Sequence, residues 1–209
     1  MNTAYLYVHE GFADWEAAFA VAGLNEPRCQ RQPGRWRVRT VAATTQSLLR
    51  SMGGVGVLPD LGFEALMPGD GDLLILPGGP HWEEPGAHGD AIAAARRWAD
   101  AGQPLAAICG ATAGLARAGV LDHRRHTSNA AAYLQGTAYR GADHYVDEPA
   151  VRDQGVVTAG GMAPLEFARE IFALVGLYED AVLDAWYQLN KTGRSEFYAR
   201  LCEAAGEGG

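Results

Sequence analysis

Apolar positions along the chain come in short blocks with two different periods. Residues 4–8 (AYLYV) form a brief β-rich run that stops at Gly11, and residues 36–42 (WRVRTVA) alternate with the two-residue rhythm of a strand. Residues 72–76 (DLLIL), 104–109 (PLAAIC) and 155–159 (GVVTA) are continuous apolar runs, the pattern of strands buried on both faces. Between these blocks the spacing turns helical. It predicts helices over 14–24 with Asp14 as cap, about 89–102 with its alanines and Trp98 on one face, 110–118 in small residues, and about 165–176. Residues 47–58, with Gly53, Gly54 and Gly56 between β-formers, read as a hairpin or a meandering loop. The polar stretch 123–129 (HRRHTSN) reads as a strand or strand edge, followed by a short helix over 130–135. Two further amphipathic stretches, roughly 179–190 and 194–204, close the chain, and the terminal GEGG is expected to fray.

Strands and helices alternate, so the predicted fold is α/β: a three-layer sandwich whose mostly parallel sheet is flanked by helices. No repeat, low-complexity tract or composition shift marks a linker, so residues 1–209 are expected to form a single domain. With 48% hydrophobic and 20% charged residues, wholesale disorder is excluded.

A formal charge of −8 repels phosphate backbones and anionic lipid, and no basic stripe offsets it, so no nucleic-acid partner is expected. No apolar run approaches the ~18 residues of a membrane span, and the N-terminal MNTAYLYVHEGF lacks the features of a signal peptide. Cys29, Cys109 and Cys202 are three in number and irregularly spaced. They read as free thiols in a reducing cytoplasm rather than as disulfides or a zinc module. No convincing metal-ligand spacing, dinucleotide fingerprint or Walker motif occurs, so neither a metal nor a cofactor is expected.

The most informative stretch is AAICGATAGLA at 106–116, where a buried strand ends in Cys109 and a helix begins at once. Such a turn aims Sγ out of the sheet at the strand's carboxyl end, where open α/β sheets bind ligands. It also brings the sulfur near a helix N-terminus, which lowers a thiol pKa. Gly110, Ala111 and Gly114 are small where crowding beside the nucleophile is expected. The PGG after strand 72–76 ends at the same edge, so the backbone N–H groups of Gly79 and Gly110 are the candidate oxyanion hole.

Taken together, ILPGG (75–79), AICGATAGLA (107–116) and VVTAGGMAPLEFA (156–168) resemble the ThiJ/PfpI superfamily, with its flavodoxin-like, class I glutamine amidotransferase-like fold. The resemblance covers about residues 3–178, and leaves the tail from about 179 as a C-terminal helical extension. It implies a homodimeric, cysteine-dependent protein. It also places a glutamate beside the cysteine, and Glu16 in FADWEAAF stands at that position. A carboxyl group there takes up a proton and returns a hydrogen bond to the sulfur, which keeps Cys109 ionised.

Some members carry a histidine directly after the cysteine, where this chain has Gly110. Others carry a T-x-H pattern, which here reads TSN and puts Asn129 in the histidine's place. After residue 144 there is no histidine, so the late His-x-Glu pair of true glutaminases is missing. A conventional triad is therefore not expected.

His81 and Trp82 follow the PGG turn and are candidates for contact with a small-molecule substrate, as are His126 and Asn129. His126 lies at an odd offset from Asn129, on the opposite face of an extended strand. His144 is a further candidate base, and His9 with Glu10 ends the first strand near the expected pocket. His88, His123, Glu83 and Glu84 read as surface residues. The activity implied is that of a hydrolase or lyase acting on a small carbonyl or amide, in the manner of a glyoxalase, deglycase or amidase. The alternative is a redox-responsive or chaperone-like stress protein with little turnover. Glutamine amidotransfer ranks below both, because it needs a partner synthase and a triad histidine.

Overall fold

The computed structural model describes residues 1–69 and 71–206; of the stretch expected to fray, Glu207–Gly209 lie outside them. The chain begins with β1 (Asn2–Tyr7), α1 (Asp14–Asn25), β2 (Trp36–Ala42), the hairpin β3 (Leu49–Arg50) and β4 (Gly56–Val57), and β5 (Leu61–Gly62). β6 (Leu73–Leu76), α2 (Gly89–Asp100), β7 (Leu105–Ile108), α3 (Ala111–Arg117) and α4 (Ala131–Gln135) follow. β8 (Ala150–Asp153), β9 (Val156–Ala159), α5 (Pro164–Val175), α6 (Asp180–Thr192) and α7 (Ser195–Ala204) complete it.

Among the described residues, seven strands pair in the order β5-β2-β1-β6-β7-β9-β8. All pairs are parallel except β8 with β9, which is antiparallel. The continuous apolar strands serve two cores at once, because successive side chains point to opposite faces. Leu73, Ile75, Ala106 and Ile108 face the layer of α1 and α5, while Leu74, Leu76, Leu105 and Ala107 face that of α2 and α3. α1 and α5 approach closely because Gly23 lacks a side chain: a Cβ there would stand 2.4 Å from the Phe172 ring. α6 packs on α5, and α7 on α6. Among the described residues no helix is long and apolar enough to cross a membrane.

The chain leaves β1 toward β2 on one side and reaches β6 on the other. The switch in strand order, with its crevice, therefore lies at the carboxyl ends of β1 and β6.

Two local expectations are corrected. Asp14 does not cap α1: the cap position is Ala13, and Asp14 Oδ2 instead accepts a hydrogen bond from Ser51 Oγ at 2.6 Å, tying α1 to the hairpin. Residues 123–129 form no strand, only a single bridge between His126 and Tyr145. The outer edge of β9 is already taken by β8, so this segment is anchored through side chains. Thr158 Oγ1 accepts the Thr127 N–H at 2.9 Å, and Thr127 Oγ1 donates to Glu148 O at 2.7 Å. The short edge strands β5 and β8 lack an apolar run and left no signal in the pattern.

Candidate active site

Cys109 sits where β7 gives way to α3, with its backbone in the left-handed region at φ 58°. Its N–H still belongs to the sheet, donating to Ala159 O at 2.9 Å. Its carbonyl accepts from both the N–H (3.1 Å) and the hydroxyl (2.6 Å) of Thr112. The Thr112 hydroxyl has thereby spent its hydrogen, so Ser128 Oγ, 2.6 Å away, donates to it. The strained turn is thus clamped from the sheet, the helix and the 123–129 segment.

The glycines that crowd the sulfur differ from those expected. A Cβ on Gly78 would lie 3.0 Å from Sγ and 2.8 Å from Cys109 Cβ, and one on Gly161 would lie 2.8 Å from Sγ. Gly110 and Gly114 instead make room for Trp82, whose indole stands 2.7 Å and 2.6 Å from where their Cβ atoms would be. Gly78 and Gly161 were visible only as members of GG pairs, with no sign of which pair member faces the thiol.

Glu16 arrives from the first turn of α1 and is 2% exposed. Its Oε2 accepts the Gly78 N–H at 2.6 Å, and the carboxyl group is hydrogen-bonded to Cys109. Burial pushes the Glu16 pKa up, against the hydrogen bonds from Gly78 and Cys109. Burial also pushes the Cys109 thiol up, and the neighbouring carboxylate adds to this, against donors from Asn129 and Gly110. Both shifts run against the resting thiolate expected from the helix terminus and the glutamate.

Asn129 Nδ2 donates to Sγ at 3.4 Å, and its Oδ1 accepts the Gly161 N–H at 2.9 Å. It does not cap α4, whose cap position is Ala130.

The other candidates are elsewhere. Trp82 is fully buried, stacked on His88 with ring centroids 4.0 Å apart, so it lines the second core and not a pocket rim. His126 is fully buried too: Nδ1 meets Arg124 O at 2.7 Å, Nε2 meets the Tyr139 hydroxyl at 3.3 Å, and Tyr145 packs on its ring. His81 is exposed and pairs with Glu84 at 2.7 Å. His144 is exposed in a short 3-10 turn. Gly79, at φ 148°, follows Gly78 in the turn, and a Cβ there would strike His9 Cε1 at 2.5 Å.

Two residues read as surface positions belong to this neighbourhood. Glu83 accepts from the Tyr133 hydroxyl at 2.6 Å, and that tyrosine lies close enough to Cys109 for the sulfur's charge to raise its pKa. His88 is half-buried beneath the PGG turn. Cys29 and Cys202 line a separate groove of about 430 Å³ between α1 and the C-terminal helices, together with Phe19, Tyr178 and Trp186. Among the described residues, no group of three or more His, Cys, Asp or Glu side chains is placed to hold a metal ion.

The model of the DJ-1/PfpI family matches residues 2–174. The chain belongs to the DJ-1/PfpI family. It is 37% identical over 199 residues to a Bacillus subtilis protein named "Uncharacterized protease YoaZ", covering 94% of each chain. It is 36% identical over 88 residues to a Pyrococcus abyssi protein named a deglycase, covering 42% of this chain and 53% of that one. The crystal structure of a thiJ/pfpI family protein from Bacillus anthracis superposes with a TM-score of 0.91 at 38% identity, covering 98% of both chains. The chain thus shares the DJ-1/PfpI fold along almost its whole length.

Proposed function

We propose that the protein is a cysteine-dependent enzyme of the hydrolase or lyase type acting on a small carbonyl compound. The observation that carries this reading is the buried Glu16 carboxyl hydrogen-bonded to an elbow cysteine. A raised thiol pKa calls for a base at the moment of attack, and Glu16 is the group in place. Sγ adds to the carbonyl carbon as its proton passes to Glu16. The C=O π pair becomes an alkoxide, held by the N–H groups of Gly79 and Gly110. Glu16 then returns the proton to that oxygen, leaving a thiohemiacetal. With an amide substrate the same attack gives a tetrahedral adduct; Glu16 passes its proton to the nitrogen, the C–N bond breaks, the amine leaves and a thioester remains. Relatives named deglycase and protease are consistent with both versions.

The redox-sensor alternative is weaker, because sensor thiols are acidic and exposed, whereas burial raises this one. We further propose a homodimer, supported by the exposed Leu48, Met52, Val55 and Leu58 on and beside the β3–β4 hairpin. Light scattering at a monomer mass overturns that part. Three free thiols favour a reducing cytoplasm as its place of work.

The test of the activity is loss of methylglyoxal on incubation with the protein. Wild type is expected to consume it, Glu16→Gln to slow at least about a hundredfold, and Cys109→Ala to reach background. Cys109→Ala turning over as fast as wild type overturns the mechanism.

A further inference from the structure

The Gly78–Gly79 turn carries two duties of the site, since it fixes Glu16 and supplies the proposed oxyanion donor. It must itself be held. From the Cys109 side it is bound by Glu16, and its Gly78 carbonyl accepts the Ala13 N–H at 3.1 Å. From the other side the contact comes from His88, the residue that opens α2. Its Nε2 lies 2.9 Å from Pro80 O, and its Nδ1 lies 2.9 Å from the Tyr7 hydroxyl. A carbonyl only accepts, so Nε2 carries the hydrogen. Nδ1 is then a lone pair that accepts from Tyr7.

The imidazole is packed as well: Trp82 stacks on one face at 4.0 Å and 17°, and the His9 ring meets it edge-on at 4.7 Å and 67°. His88 reaches this position from a left-handed backbone (φ 55°) that ordinarily favours glycine or asparagine.

We infer that His88 is a positioning residue: through Tyr7 and Pro80 it straps the Pro77–Pro80 turn to β1, and so keeps Glu16 against the Cys109 sulfur. The inference rests on the catalytic reading of Cys109 and Glu16. Burial lowers the His88 pKa, which keeps this tautomer neutral around pH 7; the charged or titratable groups that face it are Tyr7, His9, His81, Glu83 and Arg117. Around Cys109 itself the titratable groups are Glu16 and Tyr133. When the strap is cut the turn loosens, Glu16 swings away, and the thiol is freed of the carboxylate that raises its pKa.

The test is the pH dependence of Cys109 alkylation by iodoacetamide without substrate, read at the Cys109 peptide by mass spectrometry. His88→Phe keeps an aromatic ring for the Trp82 stack and removes both nitrogens. It is expected to move the midpoint downward by about half a pH unit, a roughly threefold gain of thiolate at a given pH below it. His88→Gln retains a donor for Pro80 and is expected to recover most of the shift. Tyr7→Phe removes only the hydroxyl and gives a smaller shift in the same direction; it decides the matter if His88→Phe does not fold. A wild-type or higher midpoint in folded His88→Phe, or in Tyr7→Phe where His88→Phe is unfolded, overturns the inference even if thermal stability falls. Because no substrate enters this assay, failure to consume methylglyoxal sinks the proposed activity without touching the strap.

Discussion

At the scale of the residue, the decisive feature is a side chain on a backbone that resists one. Cys109 at φ 58° carries a strain of about 1–2 kcal/mol that glycine would not. Replacing the thiol therefore separates chemistry from conformation. Cys109→Gly is expected to be more stable than Cys109→Ala by about 1 kcal/mol in urea unfolding, although neither is alkylated at this position. Equal stabilities would mean that the elbow relaxes once the sulfur is gone. Glu16 shows the complementary case, in which a charged residue in the first turn of a helix is drawn inside by partners far away in sequence. The sequence pointed to Glu16, Cys109 and Asn129 through their motif positions. Trp82 and His126 were misplaced because a loop position says nothing about which way a large ring turns, and both turned inward.

At the scale of the element, the tail is the part most clearly separable from the chemistry. α6 buries Val182, Leu183 and Ala185, and its Trp186 makes an edge contact with Phe172 of α5 (4.9 Å) and with Phe19 of α1 (6.2 Å). These contacts lie behind the helices and away from the crevice. Trp186→Ala is expected to cost about 2 kcal/mol, less than for a fully buried tryptophan. Its rate of Cys109 alkylation should stay at the wild-type value. A tenfold change in that rate with the fold intact would show that α6 reaches the site after all. The hairpin, in contrast, is joined to the site's own elements: Gly11 N–H donates to Arg50 O at 2.7 Å, Met52 N–H to Phe12 O at 2.8 Å, and Ser51 to Asp14.

At the scale of the whole molecule, buried histidines tie stability to pH. Burial, helped by the nearby His88, pushes the His9 pKa down to about 4, and burial lowers those of His88 and His126 as well. Unfolded, each returns to about 6.5. Below that pH the unfolded chain takes up protons that the native state refuses. The stability these residues contribute is therefore full above about pH 6.5 and drains away as the pH falls toward 4. For His9 the loss is on the order of 3 kcal/mol. Glu16, with its raised pKa, works in the opposite sense and offsets part of it. Urea midpoints of wild type are expected to fall between pH 7 and 4.5, and His9→Gln should flatten that slope. An unchanged slope in His9→Gln would assign the acid sensitivity to other groups.

The sequence by itself determined the alternation of the central strands with their helices, the mostly parallel sheet, the elbow and, through the motif resemblance, the acid beside the thiol. All of these follow from local periodicity or from residues fixed in short motifs. The tertiary structure alone decided which glycines face the sulfur, that burial pushes the thiol pKa up, and that His88 belongs under the PGG turn. The reason is physical: burial and desolvation come from neighbours brought together across the sheet. Glu16, Gly78, Cys109 and Gly161 are spread over 146 positions of chain and meet only at its carboxyl edge.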